Sequence, residues 1–66
     1  MAVVSPDMIL KFTLNGGDVE ILENNPVIAF SPPTKDAPHW DFCFRNGEVF
    51  ITDEPVCVRT YKKQEN

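Results

Sequence analysis

His39-Trp40-Asp41-Phe42-Cys43-Phe44-Arg45-Asn46-Gly47-Glu48-Val49-Phe50-Ile51-Thr52 is the stretch on which the reading of this chain turns. Apolar residues recur at every second position on each side of Asn46-Gly47, the pattern of two strands that each bury one face. Asn-Gly suits the two positive φ angles of a two-residue type I′ turn. A turn of that length sets Arg45 opposite Glu48, Phe44 opposite Val49, Cys43 opposite Phe50 and Phe42 opposite Ile51. Trp40, Phe42, Phe44, Val49 and Ile51 then share a face and are expected to form the main core. Cys43 and Phe50 fall on the other face with Asp41 and Thr52, and a one-residue slip would exchange the two sets.

The same logic holds upstream, where Met8–Leu14 runs into Asn15-Gly16 and returns through residues 17–22. Here the turn places Thr13 opposite Asp18, Phe12 opposite Val19, Lys11 opposite Glu20 and Leu10 opposite Ile21. Apolar residues meet on one face and an opposite-charge pair forms on the other. Asn24-Asn25-Pro26 reads as a turn and Val27–Phe30 as a short apolar strand. Pro32, Pro33 and Pro38 mark residues 31–38 as a loop, because each lacks the amide that a sheet ladder needs. After Asp53-Glu54-Pro55, a last strand is expected from Val56 to about Tyr61. No stretch sustains a helical period. The expectation is an all-β fold in one domain over residues 1–66: about six short antiparallel strands with two Asn-Gly hairpins, forming an SH3-like barrel or a curved meander. Residues 1–6 and 62–66 are expected to fray.

Size and charge bound what such a domain does. A 66-residue chain buries only about 60% of the surface it exposes when unfolded, so its net stability is small. Its hydrophobic content of 42% is nevertheless too high for a disordered chain. No apolar run approaches the roughly 20 residues that span a bilayer, and the start lacks the basic and apolar segments of a signal peptide. A soluble cytoplasmic domain is the expectation. The net charge of −4 argues against direct binding to nucleic acid, which needs clustered Lys and Arg. That charge is uneven: residues 1–54 carry nine acids against three bases, whereas residues 55–66 carry Arg59, Lys62 and Lys63 against Glu65.

The residues that could carry chemistry form no catalytic or metal constellation. With the strand 48–52 between them, Cys43 and Cys57 would stand two strand spacings apart, about 9–10 Å, which is too far for a disulfide. Two thiols and one histidine without a Cys-x-x-Cys motif fall short of a zinc site. His39 has no motif around Ser31 or Asp36 that would make it a catalytic base. Asp53-Glu54 and the pair Asp18 and Glu20 lack the ligand density and the glycine of a calcium loop. No enzyme activity, metal or cofactor is expected.

What remains is binding. The acids Asp18, Glu23, Asp36, Asp53 and Glu54 have no evident structural role, and Phe50 and Tyr61 are apolar side chains without an assured place in the core. These seven residues are the candidate partner-binding set. They suit a larger protein with a basic surface, because charged rims govern association and exposed aromatics anchor it. Phage-encoded inhibitors of host defence, including anti-CRISPR proteins, are often of this size and charge, so an inhibitor or modulator is expected by analogy. Such a protein would block a basic nucleic-acid-facing site or an assembly surface. One alternative is a subunit of a homo-oligomeric or virion-type assembly that pairs through an open edge at 56–61. The other is an SH3- or OB-like nucleic-acid-binding module using the basic tail and Trp40.

Overall fold

The computed structural model describes residues 2–63, and all the regular structure in them is antiparallel β. Seven strands form: β1 (Ala2–Val3), β2 (Met8–Leu14), β3 (Gly17–Asp18), β4 (Val27–Ser31), β5 (Trp40–Phe44), β6 (Val49–Thr52) and β7 (Val56–Lys62). They make a four-stranded sheet in the order β1-β4-β5-β6 and a three-stranded sheet in the order β3-β2-β7. The expected all-β fold is therefore present as two curved sheets, which do not close into a barrel.

Alternation puts Leu10 and Phe12 of β2, Val27 of β4 and Phe42 of β5 on inward faces, where they form the buried centre. Phe42 is 0% exposed and Leu10 1%. The Phe12 and Phe42 rings stack across the two sheets with centroids 4.1 Å apart and planes 5° from parallel. Trp40 and Phe30 extend that stack at 5.8 and 6.3 Å from Phe42. Burying each large side chain contributes about 1.5–3 kcal/mol, and an aromatic pair adds roughly 0.5–1.5 kcal/mol. In a domain whose net stability is only a few kcal/mol, this stack decides whether the chain folds.

The first hairpin has the expected turn. Asn15 and Gly16 adopt φ values of 52° and 81°, and Thr13 stands opposite Asp18. The returning strand is shorter than expected, because its last ladder bond is from Val19 N–H to the Phe12 carbonyl at 3.2 Å. Beyond it the chain crosses to the other sheet, packing Val19 and Ile21 against the core. Glu20 thus has no place opposite Lys11. The residue facing Lys11 is Arg59 of β7, which pairs with β2 along its whole length.

The second hairpin corrects the sequence reading. Cys43 faces Val49, Phe42 faces Phe50, Asp41 faces Ile51 and Trp40 faces Thr52, a slip of one residue from the two-residue turn. Gly47 alone has a positive φ, 93°, and its N–H reaches the Phe44 carbonyl at 3.0 Å. The Phe44 N–H in turn bonds the Glu48 carbonyl at 2.9 Å. This is a longer loop, a right-handed turn followed by a left-handed glycine bulge. Its consequence is the exchange of faces: Phe50 joins the core side, packing on Phe12 and Phe42, while Val49 and Ile51 point outward.

Strand order also departs from expectation. β7 returns to β2 and not to β6, so Cys43 and Cys57 lie in different sheets, both as free thiols. Ala2–Val3 pairs with β4 at Phe30 and Ala29, and Val4 N–H continues to the Ile28 carbonyl at 2.9 Å. Nothing in the composition of residues 1–6 signals that strand. The fraying expected at Met1 and over 64–66 lies outside the described residues.

Candidate functional site

The slip in the second hairpin gives the four-stranded sheet an apolar outer face. Val3 faces Ala29, Ala29 faces Cys43 and Cys43 faces Val49, so a row of apolar side chains and a thiol crosses all four strands, exposed at its two ends and buried at Ala29. In the adjacent row Ser31 faces Asp41 and Asp41 faces Ile51. Val3, Val49 and Ile51 are 80%, 55% and 59% exposed. Residues 48–54, which carry the last two of these, hold Glu48, Asp53 and Glu54 and no base. Asp41 adds a half-buried carboxylate, with Oδ1 3.4 Å from His39 Nε2. The Asn46 amide group holds the rim in shape, accepting from Glu48 N–H at 2.9 Å and donating to Glu48 Oε1 at 3.0 Å.

The seven candidate partner-binding residues are distributed over more than one surface. Phe50, Asp53 and Glu54 line one depression together with Leu14, His39 and Ile51. Phe50 is half-buried there, with its ring 6.0 Å from Phe12 and 6.4 Å from Phe42. Asp18 and Tyr61 line a second depression, on the outer face of the three-stranded sheet with Lys11, Glu20 and Arg59. Glu23 belongs to a third, apolar groove with Met8, Ile21 and Ile28. Asp36 is exposed in the proline loop and lines none of these three.

Sequence reasoning missed Val49 and Ile51, which it assigned to the core, and Lys11 and Arg59, which it placed in separate settings. On the second surface, Lys11 Nζ lies 5.9 Å from the centre of the Tyr61 ring, within cation–π range. Side-chain hydrogen bonding to Tyr61, and then to Cys57, raises the pKa of the Arg59 guanidinium. Among the described residues no group of three His, Cys, Asp or Glu is placed to hold a metal ion. None of their elements is a helix long and apolar enough to cross a membrane. No family model, curated protein or solved structure matches this chain.

Proposed function

We propose that this chain is a non-enzymatic interaction protein of the cytoplasm that docks onto a basic surface of a larger protein through the outer face of its four-stranded sheet. The observation that carries the reading is the exposure of Val3, Val49 and Ile51 on one face of this sheet, with Glu48, Asp53 and Glu54 beside the last two. Exposed apolar side chains supply the desolvated centre of an interface, and a charged rim selects the sign of the partner and speeds encounter. Occupation of a nucleic-acid-facing or assembly surface would make it an inhibitor or modulator, in the manner of phage-encoded anti-defence proteins.

The test is capture from the native host with wild type, Val49→Ser/Ile51→Ser and Tyr61→Ser side by side, followed by association kinetics with the protein captured. The docking reading expects a partner that is lost with the first variant and kept with the second. Asp53→Lys should then slow association at 50 mM salt more than Asp18→Lys does. Its effect should fade toward 500 mM, where screening lengths drop below roughly 5 Å. A partner equally captured by Val49→Ser/Ile51→Ser overturns it. A stable dimer in light scattering would favour the second reading, a homo-oligomeric subunit, for which the edge of β6, unpaired among the described residues, speaks.

A further inference from the structure

The edge of β7 carries charge of the opposite sign to the rest of the chain. β2 pairs with one side of it, and among the described residues no strand pairs with the other. Two hydrogen bonds just beyond the ends of this ladder show which way each peptide group points. Asn15 N–H donates to the Pro55 carbonyl at 3.0 Å, and Lys63 N–H donates to the Asp7 carbonyl at 2.8 Å. Both belong to the alternating set that includes Thr13 with Cys57, Lys11 with Arg59 and Ile9 with Tyr61. Antiparallel ladders alternate bonded and non-bonded pairs. Cys57, Arg59 and Tyr61 therefore turn their peptide groups toward β2, and Val56, Val58, Thr60 and Lys62 turn theirs outward. Phe12 agrees, because it stands opposite Val58 while its carbonyl accepts from Val19 on the far side of β2.

The side chains along this edge select by charge. Lys11 and Arg59 stand directly opposite each other on the outer face, an arrangement that is unfavourable unless an anion joins them. Asp18 and Glu20 share that depression, yet the one ion pair within 4 Å among the described residues is His39 with Asp41. Lys62 and Lys63 follow at the end of the strand. We propose that the β7 edge takes up an extended acidic segment of a partner protein as a fourth strand of this sheet. The outward peptide groups of Val56, Val58, Thr60 and Lys62 continue the ladder, and an acidic side chain beside Arg59 completes a row with Lys11. A second copy of β7 fits poorly, since it would bring three further bases against a strand, Val56–Lys62, that holds no acid. Lysines on an edge hinder like-to-like pairing.

The experiment is amide hydrogen exchange by NMR on the full chain, with an octapeptide of alternating Glu and Thr as probe. Exchange should slow at least tenfold at Val58 and Thr60 and stay unchanged at Cys57, Arg59 and Tyr61, which already bond β2. Thr60→Pro removes one outward amide without touching the β2 ladder, and Arg59→Glu reverses the central charge. Each should weaken peptide binding tenfold or more while leaving the melting transition in place. Should Thr60→Pro fail to fold, Arg59→Glu alone decides. Equal binding of a Lys-Thr peptide overturns the proposal, as does absence of binding at millimolar peptide. Binding that leaves Val58 and Thr60 unprotected, or that survives Thr60→Pro, overturns it in favour of an anion site on the sheet face. A thymidine oligonucleotide that binds more tightly than the peptide would make the surface one for nucleic acid, and the proposal would fall.

Discussion

Asn15-Gly16 and Asn46-Gly47 are the same dipeptide between strands of the same kind, yet they build different loops. At the first, both residues have positive φ and the hairpin closes over two residues. At the second, Asn46 stays right-handed, Gly47 alone turns over and the loop is one residue longer. The difference lies in what touches the turn. Arg45 N–H donates to the Pro26 carbonyl at 2.9 Å, and Asn46 N–H donates to Asn25 Oδ1 at 2.9 Å. Asn46 then binds Glu48 through both ends of its amide. Area alone would favour the other register, since burying Val49 and Ile51 contributes roughly twice what one Phe50 does. Hydrogen bonds at about 0.5–1.5 kcal/mol each, together with Phe50 stacked on two rings, reverse the balance. An Asn-Gly pair permits a two-residue turn; contacts from residues 25–26 decide whether the chain uses it.

The largest effect is expected where the two hairpins meet. Phe12→Ala or Phe42→Ala removes one half of the stack that joins the sheets and should cost about 3–5 kcal/mol. In a domain this small either change should abolish the cooperative melting transition seen by circular dichroism. A variant that still melts within a few degrees of wild type would show that the hairpins do not depend on each other.

A smaller contrast isolates the register of the second hairpin. Phe50→Ala should destabilise by about 2–3 kcal/mol, less than a fully buried phenylalanine because Phe50 is only half-buried. Ile51→Ala, its neighbour on the outward face, should stay within about 0.5 kcal/mol. Urea titration of both variants measures the difference. If Ile51→Ala is the costlier change, the two-residue turn is the one the protein uses and the apolar outer face does not exist.

Much of this fold is legible in the residues themselves. The Asn-Gly pairs mark both hairpins, alternation identifies Leu10, Phe12 and Phe42 as inward, and the prolines keep 32–38 out of the sheets. What escapes local reading depends on partners distant in sequence. Nothing near Val56 says that its strand returns to β2 rather than to β6, and nothing in Ala2-Val3 says that it pairs with Phe30 and Ala29. The functional surfaces follow from those same choices. Val49 and Ile51 become available only through the slipped register, and Lys11 meets Arg59 only through the return of β7. Charge was readable residue by residue, but its division into an acidic sheet face and a basic edge required the topology.

The finest difference between the two turns can be tested at their asparagines. Asn15 holds a positive φ that glycine adopts freely, and no hydrogen bond of its side chain is seen among the described residues. Asn15→Gly therefore relieves a conformational cost and adds some unfolded-state entropy, and the two nearly cancel. Asn46 has no such strain to relieve, and its amide group makes two hydrogen bonds to Glu48. Asn46→Gly loses both of them and also loosens the loop, so it should cost about 1–2 kcal/mol. Denaturant midpoints should accordingly be unchanged for the first variant and lowered for the second. Equal effects would mean that both turns are governed by the dipeptide alone. The one-residue slip, and with it the exposure of Val49 and Ile51, would then need a cause other than the anchoring of Arg45 and Asn46 to residues 25–26.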